Sequence, residues 1–170
     1  MSEQIEGMSR KIKAMTDREG KYLTFILADE EYGISIMKIQ EIIGMMPITF
    51  VPQTPDFVKG VMNLRGRVIP VVDLRLRFGM EAIDYSDRTC IIVVELEGRS
   101  GTILMGIVVD SISEVLKIKG DDIEDTPTFG TKLNTEYIYG MAKVEEIVKI
   151  LLDIDRVFSA EEIAFSNTSS

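Results

Sequence analysis

The stretch Gly60 to Gly79, GVMNLRGRVIPVVDLRLRFG, concentrates the chain's most distinctive charges. Four arginines (65, 67, 75 and 77) against the single Asp73 give it a net charge of +3, while the whole chain carries −9. A local basic site on an acidic protein is better suited to docking than to a general nucleic-acid surface. The same arginines also fit a plain solvated hairpin, and the residues alone give the two readings equal weight.

The remaining chemistry is limited by what the chain lacks. It has 0 histidines, which removes an imidazole base, a Ser-His or Cys-His nucleophile, a histidine metal ligand and a phospho-histidine relay. Carboxylate, lysine and tyrosine chemistry remain open. The one cysteine, Cys90, opens an apolar run and reads as a partly buried thiol, not a nucleophile. One cysteine also excludes an internal disulfide and suits a reducing compartment. The acidic run Asp121, Asp122, Glu124, Asp125 lacks the alternating ligands and central glycine of a calcium loop, so no metal is expected. No glycine pattern cradles a phosphate, and no cofactor is expected. With 45% hydrophobic and 28% charged residues, the 170-residue chain is ordinary globular material, long enough for a sizeable core. Its acidity weighs against nucleic acid or anionic membrane as the main partner. Met1 to Gly20 lacks a signal-peptide core, and no apolar run of about 18 residues is present.

These residues need a scaffold, and the pattern of the chain points to many short strands. Gly60 to Gly79 reads as strand, tight turn at Asn63–Arg67, strand, and a final helical turn stopped by Gly79. Pro70 predicts an edge or a bulge in the second strand. Tyr22–Leu27 and Tyr32–Ile36 form a first strand pair. Ser35 is placed to cap a helix over about Met37 to Ile43, closed by Gly44. Ile48–Val51 reads as a short strand. Cys90–Leu96 and Thr102–Val109 flank a hairpin turn, and Asp110–Lys119 continues the alternation. Asp121–Phe129 reads as an acidic loop, followed by strands at Tyr137–Met141 and Ile147–Leu152. Apolar spacing at Ile5, Met8, Ile12 and Met15 allows a short N-terminal helix, and a frayed arm fits as well. Ser159 to Glu162 matches a capping box for a last short helix, and residues 166–170 read as a disordered tail.

The chain also resembles itself. Gly33, Ile34, Ile39, Glu41 and Ile42 recur as Gly106, Ile107, Ile112, Glu114 and Val115, all displaced by 73 residues. Gly60, Val68, Val71, Val72, Asp73 and Leu74 recur as Gly140, Val148, Leu151, Leu152, Asp153 and Ile154, displaced by 80. Two such segments in the same order predict two related halves, about 21–85 and 88–157, each of about five strands. Such halves are too small to be stable alone and should pack together around a groove. Asp73 and Asp153, at matching positions, are expected to cap the turns that follow. Met37, Met45 and Met46, with the Ile36, Ile39, Ile42 stripe, either fill the core or form an adaptable contact surface.

The NLRG-x-x-I/V-P-V/I-V-D-L string, with DEEYGISIMKIQEII and GIVVDSISEVL, resembles the CheW-like family of chemotaxis coupling proteins over residues 21–165. The same string marks the related regulatory domain of the chemotaxis histidine kinase CheA. The resemblance implies a mainly β fold of two five-stranded SH3-like barrels with a few short helices. It implies a cytoplasmic, non-catalytic adaptor at receptor arrays, without direct membrane contact. Its partners would be the cytoplasmic tip of methyl-accepting chemoreceptors and the kinase regulatory domain. By resemblance, Arg65, Gly60, Ile112, Val115 and Glu41 fall to the receptor, and Leu23, Ile36, Ile39 and Ile42 to the kinase, with Ile39, like Glu41, also open to a part in receptor coupling. The alternatives are a CheA-type regulatory domain and a CheW-like module serving a different two-component signalling kinase.

Overall fold

The computed structural model describes residues 18–98, 100–127 and 136–158. Eleven strands build two sheets. The first half of the chain supplies β1 (Gly20–Leu27), β2 (Glu30–Ser35), β3 (Ile39–Gly44), β4 (Val58–Leu64) and β5 (Arg67–Asp73). The second supplies β6 (Cys90–Gly98), β7 (Gly101–Val109), β8 (Ser111–Ile118), β9 (Ile123–Glu124), β10 (Ile138–Val144) and β11 (Ile147–Leu152). Two four-residue helices, α1 (Leu74–Arg77) and α2 (Ile154–Val157), follow β5 and β11. The fold is mainly β, in two SH3-like barrels, as the sequence led us to expect.

The sequence halves are not the barrels. One sheet runs β8-β1-β2-β11-β10-β9 and the other β3-β6-β7-β5-β4. Each therefore begins with a hairpin from one half and is completed by strands from the other. The exchange follows a pseudo-twofold. β2 pairs parallel to β11 at Gly33↔Leu151 and Ile34↔Leu152, and β7 pairs parallel to β5 at Gly106↔Val71 and Ile107↔Val72. The edge strands match as well: Val115 lies opposite Leu23 and Ile112 opposite Phe25, as Ile42 lies opposite Ile92 and Ile39 opposite Val94. A bulge interrupts both ladders at the same place. Sequence periodicity could not show this exchange, because strand partners are chosen by non-local packing.

The exchange also accounts for the core. One cluster draws Leu23, Phe25 and Ile34 from the six-stranded sheet and Ile92, Val94 and Ile107 from the five-stranded one. Each fully buried chain of this size contributes roughly 1.5–3 kcal/mol, so this shared core binds the barrels together. Smaller clusters fill the interior of the five-stranded barrel (Met62, Ile69, Val71, Ile91, Val93) and of the six-stranded barrel (Tyr22, Ile118, Ala142, Leu151).

Several local expectations are corrected. The helix over Met37 to Ile43 is a single 3-10 turn, Ile36–Lys38, followed by strand β3. Ser35 does cap it, accepting from the Met37 N–H at 3.4 Å. The branched side chains of Ile39, Ile42 and Ile43 favour the extended chain once β6 offers an edge to pair with. Ile48–Val51 gives only one bridge, Thr49 to Val61. The acidic loop contains a 3-10 turn, Gly120–Asp122, and the two-residue β9. Pro70 lies in an inner strand, but the β5–β7 ladder begins at Val71, so its missing N–H interrupts nothing. Both capping aspartates are as expected: Asp73 accepts from the Arg75 and Leu76 N–H groups, and Asp153 from that of Asp155. The N-terminal helix or arm, the capping box and the tail lie outside the described residues.

Candidate functional site

The hairpin β4–β5 presents Arg65 at its tip. Arg65 and Gly66 have φ of 51° and 88°, the left-handed pair that a two-residue hairpin turn requires. Asn63 fixes the turn by accepting the Gly66 N–H at 2.8 Å. The Arg65 guanidinium then reaches across the barrel mouth to Glu41 on β3. These two strands are the opposite edges of the five-stranded sheet, so the ion pair marks where the barrel closes. The Arg65 side chain remains 69% exposed, free to present its other donors.

Gly60 lies behind this hairpin. It is buried, with φ of 141°, and a Cβ there would overlap the Thr49 carbonyl oxygen. That close approach lets Thr49 and Val61 exchange backbone hydrogen bonds of 2.8 and 2.9 Å. Gly60 thus shapes the loop before β4 and offers no surface of its own.

The bulge on β3 sorts its side chains. Ile39 and Ile42 lie opposite Val94 and Ile92, which belong to the shared core, whereas Glu41 and Ile43 lie opposite Val93 and Ile91 of the barrel interior. Ile39 packs against the shared core; Ile42, at 43% exposure, forms its rim. Ile36 and Met37, on the corner before β3, extend this apolar edge into solvent. On the other barrel Ile112 packs against the same core and Val115, 52% exposed, forms the matching rim. Leu23, 1% exposed, belongs to the shared core and lies opposite Val115 on the neighbouring strand. Glu41 and Ile42, assigned to different partners, are neighbours on one strand but lie on its two faces.

Sequence reasoning missed other exposed apolar side chains: Phe50, Val68, Ile147 and Val148. Val68 and Val148 are repeat partners beside the two hairpin tips, and alternation alone does not reveal which face of a hairpin stays bare. Of the three methionines singled out, only Met37 is exposed; Met45 and Met46 pack against the core of the five-stranded barrel.

The site offers docking surfaces and little reactive chemistry. Burial pushes the Cys90 thiol above its ordinary range, away from the reactive thiolate. Among the described residues no group of three or more Cys, Asp or Glu side chains is placed to hold a metal ion, and no helix is long and apolar enough to cross a membrane.

Comparison with known proteins agrees with this geometry. The family model of the CheW-like domain matches residues 21–162. The chain belongs to the CheW-like family. A chemotaxis protein CheW of Klebsiella aerogenes is 42% identical over 144 residues, 85% of this chain and 84% of that protein. A chemotaxis protein CheW of Rhizobium meliloti is 34% identical over 155 residues, 91% of this chain and 97% of that protein. The crystal structure of a CheW described as a scaffolding protein, from Thermoanaerobacter tengcongensis, superposes with a TM-score of 0.75 at 34% identity. It covers 85% of this chain and 97% of its own.

Proposed function

We propose that this CheW-like chain is a non-enzymatic chemotaxis adaptor that couples receptor tips to the histidine kinase by holding each on a different barrel rim. The observation carrying the reading is the pseudo-twofold itself. One shared core ends in two apolar rims, Ile42 beside Ile36 and Met37 on one barrel, and Val115 on the other. Two copies of one rim with different surroundings suit a protein that grips two partners at once. Arg65, steadied by Glu41, is the charged contact on the receptor side, and Gly60 acts there through the loop that it admits. Val115 and the half-buried Ile112 complete the receptor side from the other barrel. Ile36, Ile39 and Ile42 meet the regulatory domain of the kinase, with Leu23 supporting from the shared core. The working site is the cytoplasmic face of receptor arrays. A stiff body gripping two partners transmits displacement without chemistry.

The test is co-sedimentation of the purified protein with a receptor cytoplasmic fragment, with and without the kinase. The reading requires retention by the receptor alone and greater retention of kinase when the adaptor is present. A protein that recruits kinase in the absence of any receptor contact belongs instead to a different signalling kinase.

A further inference from the structure

The bulge on β8 sets two residues, Ser113 and Glu114, against the single Thr24 of β1, between the ladder pairs Val115↔Leu23 and Ile112↔Phe25. Both bulge residues are tied to polar groups of the barrel interior. Thr24, fully buried, donates its hydroxyl to the Glu114 carbonyl at 3.0 Å and accepts the Glu114 N–H at 3.1 Å. Ser113 donates its hydroxyl to Glu31 Oε1 at 3.3 Å. The other oxygen of Glu31 is buried and pairs with the Lys149 ammonium, which also lies 3.7 Å from Glu114 Oε1. Lys149 is itself buried, so one ammonium on β11 links β2 to β8 across β1.

The five-stranded barrel shows that folding alone does not require this network. Val93, Leu104 and Ile69 fill there the positions of Thr24, Glu31 and Lys149, and the equivalent bulge on β3 forms all the same. Replacing a buried ion pair by well-packed apolar groups is often neutral or stabilising. Apolar packing is not directional, however, whereas hydrogen bonds and ion pairs select one register. In the five-stranded barrel that selection comes from outside: Glu41, the repeat partner of Glu114, is paired by Arg65 at the hairpin tip. The equivalent tip of the six-stranded barrel carries Glu145 and Glu146, whose acids cannot anchor a third carboxylate. There the cation comes from inside, as Lys149.

We propose that Lys149 is a positioning residue for the receptor-side rim. Through Glu31 and Glu114 it fixes the β8 bulge, so that Ile112 stays on the shared core and Val115 stands out at a set angle. Ile112 immediately precedes the bulge and Val115 immediately follows it, so a slip of the bulge displaces both. That this rim meets a receptor rests on the function proposed above; that Lys149 fixes β8 does not.

The test uses the full chain in two double variants. Glu31→Leu with Lys149→Ile gives the six-stranded barrel the apolar interior of the other. Ser113→Ala with Glu114→Gln cuts the same ties from the β8 side and leaves the interior pair intact; it decides the matter if the first variant does not fold. Amide hydrogen exchange of the free protein should accelerate about tenfold at Ser113 to Leu116 in both variants and stay unchanged at Glu41 to Ile43. In co-sedimentation both variants should lose receptor and keep the kinase. Unchanged exchange on β8 overturns the proposal, as does faster exchange with receptor retention intact or with receptor and kinase lost alike. If the unaltered protein does not bind receptor, the functional reading fails, and the exchange result alone supports or overturns the hold of Lys149 on β8.

Discussion

The two barrels share a backbone template and differ inside. In the five-stranded barrel the interior positions Ile69, Val93 and Leu104 are apolar, and Ile69 and Val93 are essentially inaccessible. Their counterparts in the six-stranded barrel are Lys149, Thr24 and Glu31. Lys149 is 5% exposed and pairs with Glu31, with Glu114 at 3.7 Å. Thr24, fully buried, uses its hydroxyl to bond both the N–H and the carbonyl of Glu114, at 3.1 and 3.0 Å. The repeated glutamates then diverge. Glu114 turns to an internal lysine, and Glu41, whose barrel holds none there, pairs with the exposed Arg65. The hairpin tips diverge too: Arg65–Gly66 in one, Glu145–Glu146 in the other, all four at positive φ. What repeats is register, bulge, cap and turn conformation; interior polarity and tip charge are free to change. A second docking face arises by altering side chains on a backbone that is kept.

The largest effect belongs to the ionic interior. Lys149→Ala strands Glu31 in a mostly buried site and should lower unfolding free energy by about 3 kcal/mol. The paired change Glu31→Leu with Lys149→Ile imitates the other barrel and should be neutral or stabilising. Urea titration of both variants checks this, and equal losses in the two would mean the barrels are not interchangeable inside.

Next come the matched glycines. Gly60→Ala combines a strained φ with overlap onto a backbone oxygen and should cost roughly 2 kcal/mol. At Gly140, where φ is not in the left-handed region, the added carbon would lie 2.7 Å from the Ile123 methyl and 3.3 Å from the Glu124 carbonyl oxygen, against 2.0 Å from the Thr49 oxygen at Gly60, so Gly140→Ala should cost less. Thermal melts of the pair order them.

A smaller, pH-dependent difference separates two corner ion pairs. Arg75, second residue of α1, holds Asp110 bidentately with Nε–Oδ1 and Nη2–Oδ2 both at 2.8 Å. Asp155, second residue of α2, holds Lys38 at 2.8 Å, with the charges reversed. Burial opposes ionisation of Asp110, but the Arg75 hydrogen bonds and the Ala28 N–H outweigh it, so its carboxyl sits below the usual range. A carboxyl depressed in the fold stabilises above its unfolded value, about pH 4, and that stability is lost as pH falls through the folded value. Arg75→Met should therefore flatten the acid side of the stability–pH curve, seen in urea midpoints between about pH 5 and 2. Lys38→Met, removing a more exposed pair, should change it less.

The smallest stability effect is expected at the site itself. An exposed pair such as Arg65–Glu41 is worth at most about 1 kcal/mol. Arg65→Glu should lower the melting temperature by only about 3 °C while weakening receptor binding. A large loss of stability would make Arg65 structural.

The strands, the capping aspartates and the Arg65 hairpin could all be read from residue patterns, because alternation, Asn63 with Gly66, and an aspartate before a helical turn act locally. The exchange of strands between barrels could not, since nothing in Ile39 to Gly44 names β6 as its partner. The helix expected there failed for the same reason: propensity lost to an available sheet edge. Leu23 and Val115 lie on facing strands, yet only the finished packing decides which is covered. The pairing of Arg65 with Glu41 joins residues 24 apart and is visible only once the barrel closes.

The decisive measurement pairs Ile42→Glu with Val115→Glu, exposed rim positions where charge should leave the core intact, in co-sedimentation with receptor fragment and with kinase. Ile42→Glu should release the kinase and spare the receptor, and Val115→Glu should do the reverse. Loss of the same single partner in both variants would contradict a duplicated rim with divided duties.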